Sequence, residues 1–248
     1  MTTKTEAYRQ KLRELPEWDD YLLAESGLPG PRGNLELAQV VADEGTSELF
    51  RRYLGWTAER APVNDPHEFL AFCGAVGLGR LLAEGQEWPW TLLRQAANDP
   101  RWRMREGVAM GLQRLGDANF SILIEKMGEW SRGSLLEQRA AAAALCEPRL
   151  LADPASVRQV LHILDDITRS LAAQTARKSE DFLALRKGMA YCWSVAAAAL
   201  PEEGKAAMEK WFDSADKDVR WVMRENLKKD RLRRMDAAWV ERWQPALA

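Results

Sequence analysis

The sequence is poor in the residues that build metal sites and disulfide-bonded folds. Its two histidines, His67 and His162, lie far apart, so it has neither a histidine pair nor an HExxH motif. Its three cysteines, Cys73, Cys146 and Cys192, are widely spaced, and there is no CxxC pair. We therefore expect no disulfide framework, no metal or other cofactor and no histidine-based catalytic triad. Reduced thiols fit a cytoplasmic protein.

Long apolar runs are also missing. The longest are AAAAALC at 140–146 and VAAAAL at 195–200. Both are far shorter than the roughly 20 residues that a membrane span needs. The N-terminal stretch MTTKTEAYRQKLRELPEW is polar and lacks the apolar segment of a signal peptide. The sequence predicts a protein that neither spans a membrane nor carries a secretion signal.

Strong net charge is absent, although the charge is unevenly distributed. The formal net charge is −2, so the chain as a whole does not have the basic character typical of nucleic-acid-binding proteins. Residues 217–234, KDVRWVMRENLKKDRLRR, contain eight Lys or Arg and three Asp or Glu, a net charge of +5, which leaves −7 for the rest of the chain. The C-terminal end is therefore a basic segment on an acidic body.

Helix-forming residues dominate. Ala, Leu, Arg, Glu and Met are frequent, β-branched residues are sparse, and the alternating pattern of strands is not found. The loop GLPGPRGN at 27–34 and three Asp-Pro pairs, which favour helix starts, divide the chain, and Gly116-Asp117 is expected to separate two helices. The predicted helices are 4–14, 19–26, 35–43, 46–55, 67–84, 89–97, 100–115, 118–128, 133–146, 155–175, 179–199, 202–212, 217–229 and 236–242.

Two nearly identical hexapeptides point to an internal repeat: RWRMRE at 101–106 and RWVMRE at 220–225. An Arg followed by apolar residues at +3 and +7 occurs four times, starting at Arg105, Arg139, Arg186 and Arg220, at intervals of 34, 47 and 34 residues. Such periods are typical of helical solenoids. The literal match pairs Arg101 with Arg220, but the pattern pairs Arg105 with Arg220, and we adopt the latter register.

The stretches NDPRWRMREGVAMGLQRLGD and SADKDVRWVMRENLKKDRL resemble HEAT repeats, closely over 98–117 and 214–232 and more weakly over 135–146 and 182–199. The resemblance implies an all-α fold, a right-handed α-solenoid (superhelix) of stacked HEAT-like helical hairpins. We expect a single, monomeric domain over 1–248, with an N-terminal helical cap at 1–60 that packs onto the first hairpins and repeats at 61–248.

Glycines in the apolar stretch FLAFCGAVGLGRLL predict close contact between helices. GAVGLG at 74–79 follows no strand and precedes no Lys-Ser/Thr, so it does not match a phosphate-binding loop. Each glycine costs a helix up to about 1 kcal/mol relative to alanine. Close approach of a neighbouring helix would offset part of this cost. Paired acids such as Asp165-Asp166 diverge on a helix and are interpreted as solvated faces.

Candidate binding residues combine arginine with tryptophan, a pairing used to stack on partners or nucleic acid. The alternatives are a structural Arg–Asp ladder, which the HEAT resemblance implies, and tryptophans buried in the core. On a helical wheel the basic segment places its cations on one face, which suits phosphate binding or, alternatively, a polar cap on a terminal repeat. The candidates are Arg101, Arg105, Trp102, Arg220, Trp221, Arg224, Lys228, Arg231, Trp88 and Trp90.

Two functions follow as hypotheses. The first is a non-catalytic scaffold that presents a concave surface to a protein or peptide partner. The second is a DNA-binding protein of the alkylpurine glycosylase type that binds phosphates through its basic C-terminal repeat, because the chain also resembles the HEAT-like-repeat DNA alkylation repair glycosylases. In that family an Asp and two Trp rings are thought to stabilise the cationic sugar. Trp88 and Trp90 in EWPWTLLRQ are the nearest match, and the next acid, Asp99, is assigned here to a helix cap. We therefore assign no catalytic residue.

Overall fold

A computed structural model describes residues 3–247, which fold into fifteen α-helices and two short 3-10 helices with no β-strand among them. The chain divides into two compact units, one ending at Ala118 and the other beginning at Asn119. The helices of the first unit are α1 (Lys4–Glu14), α2 (Asp19–Glu25), α3 (Leu35–Glu44), α4 (Ser47–Leu54), α5 (His67–Ala83), α6 (Pro89–Ala97) and α7 (Trp102–Ala118). The all-α prediction is confirmed.

The second unit contains the remaining eight α-helices. These are α8 (Phe120–Trp130), α9 (Leu135–Leu145), α10 (Pro154–Ala173), α11 (Glu180–Ala199), α12 (Pro201–Phe212), α13 (Lys217–Leu227), α14 (Asp230–Met235) and α15 (Ala237–Trp243). The 3-10 helices are Pro148–Leu150 and Pro245–Leu247. The predicted helices agree with the observed ones at most positions, because prolines and side-chain caps fix the helix starts. Asp153, for example, accepts a hydrogen bond from the backbone N–H of Ser156 at 2.8 Å.

Two predicted boundaries are wrong. Gly116 and Asp117 do not end a helix, because α7 continues to Ala118 and the break falls at Asn119, whose side chain caps α8 by accepting from the N–H of Ile122 at 3.1 Å. The predicted helix 217–229 ends at Leu227, and a further helix, α14, follows after Lys229. The second difference divides the basic segment between two helices.

Helix α5 is the centre of the first unit. Nearly every residue from Glu68 to Leu82 is buried, and α3, α4 and α7 all pack against it. Phe50 of α4 and Val41 of α3 are fully buried. Helices α3 and α4 therefore pack onto α5, while the role of the first 60 residues as a solenoid cap stays a prediction.

The glycines of α5 allow the close packing that the sequence predicted. A Cβ atom on Gly79 would lie 1.9 Å from the carbonyl oxygen of Gly111 in α7. A Cβ atom on Gly111 would lie 2.6 Å from the carbonyl oxygen of Ala75. Because the nearest atoms belong to the backbone, no side-chain rotation relieves either overlap. The two helices pack backbone to backbone at this point.

Helix α11 is the centre of the second unit. It packs against α9 and α13, while α10 packs against α8 and α12, and the pairs α8–α9, α10–α11 and α12–α13 are also in contact. Within this unit, three consecutive helical hairpins therefore lie side by side in two rows. Whether these hairpins form part of a right-handed superhelix stays a prediction.

Buried polar side chains fix the positions of α10 and α13 on α11. The indole N–H of Trp193, which is fully buried in α11, donates to the hydroxyl of Thr168 in α10 at 3.0 Å. Asn226 of α13 accepts from the N–H of Ser194 at 2.8 Å and donates to the carbonyl of Met189 at 2.9 Å. Because an unpaired buried amide is costly, these bonds specify how α13 lies on α11.

Membrane-spanning and metal-binding features were also sought in residues 3–247. No helix there is both long and apolar enough to cross a bilayer. The described part of the chain also brings no group of three or more His, Cys, Asp or Glu side chains into positions that could hold a metal ion. The cysteines Cys73, Cys146 and Cys192 are buried free thiols.

The close packing of α5 and α7 predicts opposite effects for two glycine substitutions. Gly79→Ala should lower the free energy of unfolding by about 1–3 kcal/mol, because the overlap with Gly111 outweighs the gain in helix propensity. Gly128→Ala is the control, since a Cβ atom there meets no described atom within 4 Å, and it should raise stability by up to about 1 kcal/mol. Denaturant unfolding of both variants measures the difference. Stabilisation by Gly79→Ala would contradict the packing described here.

Candidate anion-binding cleft

Arg101, the first residue of the RWRMRE hexapeptide, is buried in the first unit. Only 2% of it is exposed. Its guanidinium donates to both carboxylate oxygens of Asp99, at 2.9 and 2.7 Å, and to the carbonyls of Trp56 and Ala61, both at 2.9 Å. These bonds tie the start of α7 to the loop after α4. Arg101 therefore holds the fold together and offers no donor to a partner at the surface.

Trp102 and Arg105, the other candidates in this hexapeptide, differ from each other in exposure. Trp102 is 44% exposed, and the guanidinium of Arg103 lies over its ring at 4.3 Å. Arg105 is half-buried and donates to the carbonyls of Asp99 and Pro100, each at 2.8 Å. It thus caps the turn before its own helix. The cations here are bound within the protein.

The tryptophans of EWPWTLLRQ lie at the start of α6, Trp88 just before the helix and Trp90 within it. Trp88 and Trp90 are both half-buried, and the guanidinium of Arg51 lies 3.7 Å from the centre of the Trp88 ring. The indole N–H of Trp88 donates to Gln86 at 2.8 Å. Asp99, the next acid along the chain, is paired with Arg101. Both the aromatic ring and the carboxylate have partners of their own.

The basic segment is not one continuous helical face. Lys228 lies at the C-terminal end of α13 and pairs with Glu225 at 2.6 Å. Arg231 lies on α14, where it donates to the hydroxyl of Tyr191 and stacks on its ring at 4.6 Å. The predicted alignment of Arg220, Arg224, Lys228 and Arg231 on one helix is therefore wrong. Arg220, Trp221 and Arg224 remain together on α13.

These three α13 residues line a cleft of about 570 Å³ in the second unit. The rest of its wall comes from the loop after α10, helix α11, Ala215 just before α13, two further residues of α13 and the C-terminal 3-10 helix. Six cationic side chains and a single carboxylate face the cleft, so its local charge is strongly positive. The lining residues are Arg177, Lys178, Arg186, Ala215, Lys217, Asp218, Arg220, Trp221, Arg224 and Leu247.

Two aspartates hold two of the cleft arginines in place. Arg177 donates to Asp216 at 2.6 and 2.9 Å and to Asp218 at 3.0 Å. Arg186 donates to the other oxygen of Asp218 at 2.5 Å. Only 6% of the Asp218 side chain is exposed, so this carboxylate bridges two guanidinium groups away from bulk water. We name Arg177, Arg186, Asp216 and Asp218 the Arg–Asp network.

The pairing of Arg177 with Asp216 favours the charged forms of both side chains. Burial acts to raise the pKa of Asp216, but hydrogen bonds from Arg177 and from the N–H groups of Val219 and Asp218 outweigh it, so the pKa lies below its ordinary value. The hydrogen bond to Asp216 raises the pKa of Arg177 in turn. Asp216 also caps α13, because its Oδ1 accepts from Asp218 and Val219 at 2.9 and 3.0 Å.

Arg186 also stacks on the aromatic wall of the cleft. Its guanidinium lies 4.3 Å from the centre of the Trp221 ring. Such a cation–π contact fixes both side chains. The Nε atom of Arg186 is buried and has no hydrogen-bond partner among residues 3–247. The cleft therefore contains a guanidinium whose donors are not all used by the protein.

The remaining cations of the cleft lack close carboxylate partners. Lys178, Lys217 and Arg220 are exposed, and their side chains form no hydrogen bond or ion pair with the described residues. Arg224 lies 4.0 Å from Glu225, which is bound more tightly by Lys228, and its Nη1 is 3.4 Å from the carbonyl oxygen of Leu247. Four positive charges in the cleft are thus left for an anion.

Of the six cations that line the cleft, the sequence analysis singled out Arg186, Arg220 and Arg224 and missed the other three. It identified Arg220, Trp221 and Arg224. Arg186 is one of the four pattern arginines, for which the HEAT resemblance implies an Arg–Asp ladder, and its bond to Asp218 joins two helices. The sequence analysis did not identify Arg177, because that residue lies in a loop 39 residues before Asp216. The signal available was the pair of aspartates in ADKDVRW, which precedes the helix and needs cationic partners when buried.

No protein-family model matches the chain, and neither a curated protein nor a solved structure matches it. The function is therefore argued from the chemistry of the cleft.

The Arg–Asp network predicts a specific dependence of stability on pH. The pKa of Asp216 is lower in the folded than in the unfolded state, so its ion pair stabilises the fold above the unfolded pKa of about 3.9 and is lost as pH falls through the folded pKa. Asp216→Asn keeps a side-chain oxygen for the cap but loses the charge. It should cost about 1–2 kcal/mol near pH 7, and much less below pH 3.

The measurement is denaturant unfolding of wild type and variant from acid to neutral pH. Asp213→Asn is the control, because Asp213 is exposed and forms no ion pair with the described residues. It should leave stability unchanged across the range. A penalty for Asp216→Asn that stays constant from neutral to acid pH would show that the charge of Asp216 does not contribute.

Proposed function

We propose that the protein is a non-catalytic helical-repeat scaffold of HEAT-like type whose C-terminal cleft binds an acidic segment of a protein partner. The observation that carries this proposal is the cluster of four cations without close carboxylate partners, which lies beside Trp221 in a cleft. Arginine clusters recognise acidic motifs, and aromatic side chains at their edge provide contact area.

Preorganisation strengthens the cleft as a binding site. Arg177 and Arg186 are already held by Asp216 and Asp218, so binding does not have to pay for ordering these side chains. Arg220 and Arg224, which are one turn apart on α13, are left to contact the partner. Lys217 lies on the same helical face, at i−3 from Arg220 and i−7 from Arg224. An extended acidic peptide could therefore contact cations at successive positions.

The size of the cleft and the charge of the chain favour a peptide over duplex DNA. The cations do not form one long stripe, because α13 ends at Leu227 and Lys228 is paired with Glu225. Outside residues 217–234 the chain carries a net charge of −7, which repels a polyanion. A cleft of about 570 Å³ matches side chains rather than a duplex.

Nucleic acid is the second candidate, and one observation favours it. Arg233 and Arg234 of α14 are exposed and form no ion pair with residues 3–247, so they add cations beyond the cleft. A nucleic-acid backbone would use these residues as well as those of α13. The two candidates therefore differ in which arginines matter for binding.

This difference gives the experiment. Fluorescence anisotropy at low salt compares a labelled glutamate-rich peptide with a labelled DNA duplex. For the peptide, Arg220→Ala/Arg224→Ala should weaken binding at least about tenfold, because charge-assisted hydrogen bonds are lost. The matched double variant Arg233→Ala/Arg234→Ala removes the same charge and should change peptide affinity less than about twofold. Circular dichroism checks that both variants fold.

Two results would contradict the proposal. One is no binding of the peptide at low salt. The other is binding that falls equally in the two double variants, because it would show a general charge effect rather than a cleft. Duplex binding that falls equally in both, with no peptide binding, would favour nucleic acid.

A further inference from the structure

We infer that the anionic group taken by the cleft is a phosphomonoester, as on a phosphorylated serine or threonine, rather than a carboxylate. This inference rests on the proposed function, and it names the ligand class of the same site.

The charge balance of the cleft is the first argument. Six cationic side chains line it, and Asp216 and Asp218 compensate only Arg177 and Arg186. Four cations remain, whereas a carboxylate brings one negative charge. A phosphomonoester brings about 1.5 to 2 negative charges at pH 7. The dianion therefore matches the uncompensated charge better than an acidic side chain does.

The arrangement of donors is the second argument. Lys217, Arg220 and Arg224 follow each other at spacings of three and four residues on α13, so they share one face of the helix. A carboxylate has two acceptor oxygens and a single negative charge, and one guanidinium fork can bind both oxygens. A phosphomonoester offers three acceptor oxygens, which several donors can share. Donors from successive turns of one helix, together with the loop residue Lys178, suit the larger group.

The charged groups of the cleft make the inference testable by pH. The loop after α10 contributes Arg177 and Lys178, α11 contributes Arg186, and α13 contributes the rest. No histidine, the side chain whose ordinary pKa falls between pH 5 and 8, is among the lining residues. The pKa of Asp216, next to the lining, is below its ordinary value, so it stays ionised there. A change in affinity between pH 5 and 8 is therefore expected to follow the second ionisation of the phosphate, whose pKa is about 6.

The experiment uses three labelled peptides of identical sequence with serine, aspartate or phosphoserine at the central position. Anisotropy titrations with the full chain run from pH 5 to 8. The phosphoserine peptide should bind at least about tenfold more tightly than the aspartate peptide near neutral pH. This advantage should shrink below about pH 6, where the phosphate dianion takes up a proton and becomes a monoanion. Arg220→Ala/Arg224→Ala should abolish it, and Arg233→Ala/Arg234→Ala should not.

Each outcome decides between the two proposals. If the aspartate and phosphoserine peptides bind equally and both depend on Arg220 and Arg224, the phosphate inference fails while the proposed function stands. If neither peptide binds at low salt, both fail. A phosphoserine preference that is independent of pH, or that is lost equally in the two double variants, would also overturn the inference, because it would not arise from a dianion in this cleft.

Discussion

The cleft depends on a buried carboxylate placed between two guanidinium groups. Asp218 is almost completely buried, and it would be unstable there as an isolated charge. Arg177 and Arg186 compensate it, and it in turn lets two like-charged groups lie close together. Asp216 adds a further pair of bonds to Arg177 and caps α13. The same charges therefore fix the start of a helix and assemble a basic site.

The network keeps its geometry because buried hydrogen bonds fix the positions of α10 and α13 on α11. Trp193 is fully buried in α11 and bonds to α10, and Asn226 connects α13 to two backbone groups of α11. The cations on α13 are therefore presented by a helix whose position is fixed by buried hydrogen bonds. A rigid support lowers the entropic cost of binding. This feature distinguishes the cleft from the exposed cations of α14, which lie on a six-residue helix.

The sequence predicted the helices well because local signals control them. Proline, asparagine, aspartate and serine mark most helix starts. Arg105 and Arg220 are each the fourth residue of their helix, but Arg139 and Arg186 are the fifth and seventh residues of theirs, so the register of the repeat stays a prediction. The hexapeptides RWRMRE and RWVMRE are similar in sequence but differ in environment, because Arg101 is buried and Arg220 is exposed.

The sequence missed the break between α13 and α14, since lysine at 228 and 229 is a good helix former. The pairing of Arg177 with Asp216 was missed because it joins residues 39 positions apart.

The central claim is that an anion is held by particular arginines of the cleft, and side-chain NMR tests it most directly. The Nε–Hε signals of the arginines are followed while phenyl phosphate is added to the full chain. The account predicts that the signals of Arg220 and Arg224 move with a saturable dependence on concentration, whereas the signal of the buried Arg101 does not move. Stationary signals of Arg220 and Arg224, or equal movement of all exposed arginines, would contradict it.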